Sequence, residues 1–102
     1  MKREQILTKL KELKPKYSQE GIIIQGLFGS HSRDEATDSS DIDILIEAKP
    51  DFASKYGFKA IERINEIRDE LTAFFGTPVD LADRTGMGKT GKKFIIDRTI
   101  YV

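Results

Sequence analysis

Three aspartates stand at strand-like spacing in apolar surroundings: Asp41 and Asp43 in DIDILIE (41–47), and Asp80 in GTPVDLAD (76–83). Residues two apart in a strand project to one face. Asp41 and Asp43 therefore point together, while Ile42, Ile44 and Ile46 point the other way, into a core. Two adjacent carboxylates repel each other unless a positive charge lies between them. A divalent cation that prefers oxygen, such as Mg2+, meets that need. Asp80, between Val79 and Leu81, presents a third carboxylate in the same manner. Three converging carboxylates can hold two ions about 3.5–4 Å apart, an arrangement that supports in-line phosphoryl and nucleotidyl displacement.

Upstream, GIIIQGLF (21–28) runs into Gly29-Ser30. Glycine lets the backbone approach a ligand closely. A helix starting at Ser30 offers unpaired N–H groups and the positive end of its dipole to phosphate. The expectation is a triphosphate lying between Gly29-Ser30 and the aspartates. Arg33 adds a guanidinium suited to phosphate; its alternative role is a salt bridge that fixes the DEATDSSD loop. Each feature alone has a plainer reading. Asp-Ile-Asp arises by chance on half-exposed strands, Gly-Ser is commonly a turn and N-cap, and Asp80 reads equally as a strand-end residue. His31, the sole histidine, reads as exposed and inert. Their joint order and spacing carry the chemical reading.

The elements that must position these residues follow from periodicity. Ile6, Leu7, Leu10 and Leu13 keep helical spacing and predict an amphipathic helix over 3–14, with Pro15 near its end. Residues 21–28 and 41–47 are β-branched runs bounded by turn-forming residues and predict two strands. A short helix is expected at 30–36 and a turn at TDSS. Pro50 closes the second strand. Phe58, Ile61, Ile64, Ile67, Leu71 and Phe74 predict one long helix from about 54 to 75, its apolar stripe forming core. Its charges, among them Arg63 and Glu70, read as a solvated face. Residues 76–83 continue as a third strand. RTGMGKTGKK (84–93) is a basic glycine-rich loop, and FIIDRTIYV supplies a helical turn and an edge strand. The GMGKTGKK segment imitates a P-loop, but Asp83 stands where that pattern needs its first glycine. The fold expected is α+β: a small mixed β-sheet with helices packed on one face.

Composition bounds the function. The chain has 102 residues, the size of a single small domain, with 17 basic and 17 acidic residues that cancel. No overall positive field draws nucleic acid to it, so direct nucleic-acid binding is not expected. Cysteine is absent, which removes disulfides and thiolate metal sites from consideration. No apolar run has the length of a membrane helix, and a cytoplasmic location is expected.

GSHSRDEATDSSDID (29–43) resembles the Gly-Ser-x-x-Arg…Ser-Asp-Ile-Asp signature of the minimal nucleotidyltransferases, within the DNA-polymerase-β-like nucleotidyltransferase superfamily. The likeness extends over nearly the whole chain and includes PVDL with its third aspartate. Two positions depart from it: Asp34 follows the arginine where members often carry glycine, and Ser32 replaces a small apolar residue. The resemblance implies a nucleotidyltransferase-like core in which Gly29 and Ser30 bind the triphosphate, with Asp41, Asp43 and Asp80 as metal ligands. Asp80 would also help activate the attacking hydroxyl. It further implies transfer of AMP from ATP, with Mg2+, to a tyrosine of a HEPN-domain ribonuclease toxin, the nucleotidyltransferase being the antitoxin. A chain this short lacks the domain that holds base and acceptor in larger relatives, so a partner protein or second copy is expected to supply those walls. Two alternatives stand beside this reading: an antitoxin that neutralises its partner by contact alone, and an enzyme acting on a small molecule, as antibiotic nucleotidyltransferases do.

Overall fold

The computed structural model describes residues 2–29, 41–86, 95 and 98–102. The expected helix at 30–36, with Ser30, His31 and Arg33, lies outside the described residues. So does the basic loop from residue 87 to 94.

Among the described residues, four strands form one mixed sheet: β1 (Ile22–Phe28), β2 (Ile42–Ala48), β3 (Val79–Asp83) and β4 (Ile100–Tyr101). Their order is β3-β2-β1-β4. β1 is antiparallel to both its neighbours, and β2 is parallel to β3. The parallel pair requires a crossover, and helices α2 (Pro50–Tyr56) and α3 (Ala60–Phe75) supply it. Helix α1 (Arg3–Ser18) precedes the sheet. Ile6 and Leu10 of α1, Ile42, Ile44 and Ile46 of β2, and Ile67 and Leu71 of α3 belong to one buried cluster. The helices thus cover one face of the sheet, and the alternation in β2 turns its isoleucines toward them. The other face carries Asp43 and Glu47, with a fully buried Leu45 between them that stands outside the main cluster.

Two helices differ from the periodic reading. Helix α1 runs past Pro15 to Ser18. The proline removes one internal hydrogen bond, but the last turn is anchored from outside, because Tyr17 is buried and its hydroxyl donates to Glu70 at 2.8 Å. The long helix expected from 54 to 75 is in fact two, divided by a 3-10 turn at Gly57–Lys59, and Pro50 opens the first of them. The break corrects the apolar stripe. Ile67, Leu71 and Phe75 are buried, whereas Phe58 is fully exposed, Ile61 is 75% exposed and Phe74 about half exposed. Helix α3 ends at Gly76, whose φ of 70° is the left-handed cap that glycine accepts without strain.

The charges of α3 are not all a solvated face. Arg63 donates through Nε and Nη2 to the two carboxylate oxygens of Glu20, at 2.6 and 2.7 Å, and through Nη1 to Glu70 at 2.8 Å. The Tyr56 hydroxyl also donates to Glu20. The Glu20 carboxylate, just after α1, is therefore tied to α3 through Arg63 and to α2 through Tyr56. The bidentate bond to Arg63 holds the Glu20 carboxyl down at about 2, against the opposing effect of burial and with help from Tyr56. The same bond raises Arg63. For Glu70, burial pushes upward, and the bonds from Arg63 and Tyr17 outweigh it and hold it below its usual value. Burial first, and then the bond to Glu70, keep the Tyr17 phenol well above the ordinary range.

Candidate active site

Parallel pairing of β2 with β3 sets Asp43 opposite Asp80. Residues paired in this way project to the same face. Asp41 lies one residue before β2, so the aspartate pair is split between the strand and its approach. The Ile42 N–H donates to the Pro78 carbonyl at 2.9 Å, stitching that approach to the start of β3. Antiparallel pairing of β1 sets Phe28 opposite Asp43 and delivers Gly29 beside it. Gly29, Asp41, Asp43 and Asp80 thus occupy one end of the sheet, on the face away from the helices. The structure sets these four at the same end of one face; the placement of Ser30 and Arg33 lies outside the described residues.

The contact at Gly29 is close. Its φ is 74°, and a Cβ built there would lie 2.1 Å from Asp43 Oδ2. The carboxylate of Asp43 therefore fills the space that any side chain at position 29 would need, and the glycine is required twice over. Asp43 itself is half-buried, while Asp41 and Asp80 are exposed. Among the described residues, no three acidic or histidine side chains are grouped closely enough to hold a metal ion. The aspartates share a face and a register without converging. Their oxygen donors are of the kind a hard cation takes.

Beyond Leu45 the same face carries a second polar group. Arg84, in the 3-10 turn Arg84–Gly86 after β3, reaches across β2 and donates to Gln25 Oε1 at 2.7 Å. Gln25 in turn donates to Glu47 at 2.9 Å. Periodicity did not pair these three; the one signal was Gln25, a lone polar residue in the apolar run GIIIQGLF, next to the bulge between Ile24 and Gly26. Asp83, the residue that breaks the P-loop pattern, caps this turn by accepting from the Thr85 N–H at 3.0 Å and its hydroxyl at 2.7 Å.

Comparison with known proteins gives the family. The sequence matches the nucleotidyltransferase domain family over residues 3–102. A Methanocaldococcus jannaschii protein assigned as a protein adenylyltransferase is 38% identical over 101 residues, covering 95% of this chain and 91% of its own. Protein adenylyltransferase MntA of Thermococcus cleftensis is 32% identical over 100 residues, covering 97% and 91%. A solved structure assigned as a minimal nucleotidyltransferase superposes with a TM-score of 0.76 over 100% of this chain and 97% of that one, at 20% identity, which speaks for the fold. The family match over residues 3–102, with relatives aligned over nearly their full length, identifies the chain as a member of the nucleotidyltransferase domain family.

Proposed function

We propose that this enzyme transfers AMP from ATP to a hydroxyl on a protein, releasing pyrophosphate. The observation that carries the reading is the in-register pair Asp43–Asp80, with Asp41 and Gly29 beside it on the face left open by the helices. The names of the relatives, protein adenylyltransferases that match over nearly their full length, support the choice of AMP and of a protein acceptor.

In this reading Asp41, Asp43 and Asp80 hold Mg2+, two ions in all. Bound there, Mg2+ offsets the charge of the triphosphate and polarises the attacking hydroxyl. Gly29 leaves room for the Asp43 carboxylate and leads the backbone into the phosphate site, where the N–H groups that begin at Ser30 bind the triphosphate, with Arg33 as a further cationic contact. Asp80, on the edge strand β3, accepts the proton of the acceptor hydroxyl. The acceptor is a tyrosine of a HEPN-domain ribonuclease, which this chain silences as an antitoxin in the cytoplasm. That partner, in a hetero-oligomer, supplies walls around base and acceptor.

Intact-mass measurement of the HEPN protein after incubation with this chain, ATP and Mg2+ tests the proposal. An AMP-sized increment that is lost with Asp43→Asn supports it. Silencing of the ribonuclease without any mass change, by wild type and Asp43→Asn alike, would show that neutralisation is by contact alone.

A further inference from the structure

The chain has three tyrosines, and all lie among the described residues. Two of them have their hydroxyls engaged in the helical layer: Tyr17 donates to Glu70 and Tyr56 to Glu20. Both are on the side of the sheet opposite the aspartates. Tyr101 belongs to the sheet itself. It sits in β4, is 49% exposed, and pairs with Gly26, which in turn pairs with Leu45. Directly paired residues of antiparallel strands project to the same face. Tyr101 therefore shares the face of Leu45 and of Asp43, two residues along β2. The neighbours of Tyr101 fix the same phase: Ile100 pairs with the fully buried Leu27, and Val102 packs against the main core.

From Tyr101 to Asp43 the path is two strand spacings across and two residues along, or about 12 Å between Cα atoms. Tyr101 and Asp43 stand on the same face across that distance. β4 also flanks β1, the strand that delivers Gly29 to the site.

We propose that Tyr101 is an acceptor for adenylyl transfer within its own chain. The inference rests on the transferase reading above and adds a modification site to it. Tyr101 Oη attacks the α-phosphorus of ATP. The Oη–phosphorus bond forms as the bond from that phosphorus to the β-bridging oxygen breaks. Pyrophosphate leaves with the electron pair, and the phenolic proton passes to a carboxylate of the same face and then to water. No oxidant, reductant or further reactant is needed.

The test is incubation of the purified chain with Mg2+ and ATP labelled at the α-phosphate, followed by intact-mass measurement and peptide mapping. A short peptide with a single tyrosine is present as an external acceptor. One AMP-sized increment on Tyr101 is expected. Tyr101→Phe should lose more than tenfold of the self-label, melt as wild type does, and still label the peptide. In a mixture of Asp43→Asn with Tyr101→Phe, neither chain should gain AMP, because the step is intramolecular. Label on Tyr17 or Tyr56, label persisting in Tyr101→Phe, or label on the Asp43→Asn chain in the mixture would overturn the proposal. So would an unlabelled wild-type chain beside a labelled peptide, which leaves the transferase reading intact. Failure to label chain, peptide and HEPN partner alike would overturn both.

Discussion

Replacing Gly29 by alanine separates what the backbone needs from what the site needs. At a φ of 74° an alanine is in the left-handed region, which costs an L-residue about 1–2 kcal/mol. For a domain of this size that lowers the melting midpoint by about 5–15 °C. The new methyl would also stand 2.1 Å from Asp43 Oδ2, against an ordinary contact of 3.4–4 Å. The carboxylate must retreat by at least about 1 Å, and a misplacement of that size at a reacting centre lowers the rate about 100-fold. Gly76→Ala is the control. Its φ is 70°, and a Cβ there meets no atom within 4 Å, so the backbone strain is similar and the collision is absent. Thermal melts and a transfer assay with labelled ATP should show both variants destabilised to a like extent, with transfer reduced only in Gly29→Ala. Transfer by Gly29→Ala within threefold of that by Gly76→Ala would refute the idea that Gly29 exists to accommodate the Asp43 carboxylate.

Asp80→Asn should lower transfer by about 10²–10⁴-fold, as expected for loss of a proton acceptor, while calorimetry shows a much smaller change in ATP affinity. Arg63→Leu leaves the Glu20 and Glu70 carboxylates facing each other without their shared cation, and urea denaturation should register a loss of about 3 kcal/mol. Glu20 also makes stability depend on pH. Its folded-state value, about 2, lies below the ordinary 4.5, so its contribution is complete above about pH 4.5 and fades as pH falls toward 2; Glu20→Gln should flatten the stability profile across that window. Phe58→Ser should leave the urea midpoint unchanged, to within about 0.5 kcal/mol, because the ring is fully exposed.

The strand-borne part of the site was readable because strand period is a strong local signal. Ile42, Ile44 and Ile46 alternate with Asp43 and Glu47, and a one-residue slip would bury the acidic residues. The facing of Asp43 by Asp80 was expected from PVDL but depends on a parallel pairing across the α2–α3 crossover, which no local pattern fixes. The contact between Gly29 and Asp43 is likewise a product of β1–β2 register. Phe58 was misassigned for a definite reason: it keeps the spacing of a helical stripe, but the turn at Gly57–Lys59 separates it from α3, so it does not share that helix's phase. Arg63 and Glu70 looked solvated because their partners, Glu20 and Tyr17, come from the other end of the chain.

The order β3-β2-β1-β4 also bears on how the chain folds. β1 takes its first antiparallel partner from the next strand along, but its second, the two-residue β4, comes from roughly seventy residues away. Closing that loop costs entropy that so short a strand repays only once the rest of the sheet has formed. β4 should therefore dock last in folding and detach first in local unfolding. Until it docks, β1 presents an unpaired hydrogen-bonding edge beside Gly26, the kind of edge that recruits another chain. Amide hydrogen exchange should accordingly be faster at Ile100 and Tyr101 than at Ile44 and Leu45 in the middle of the sheet.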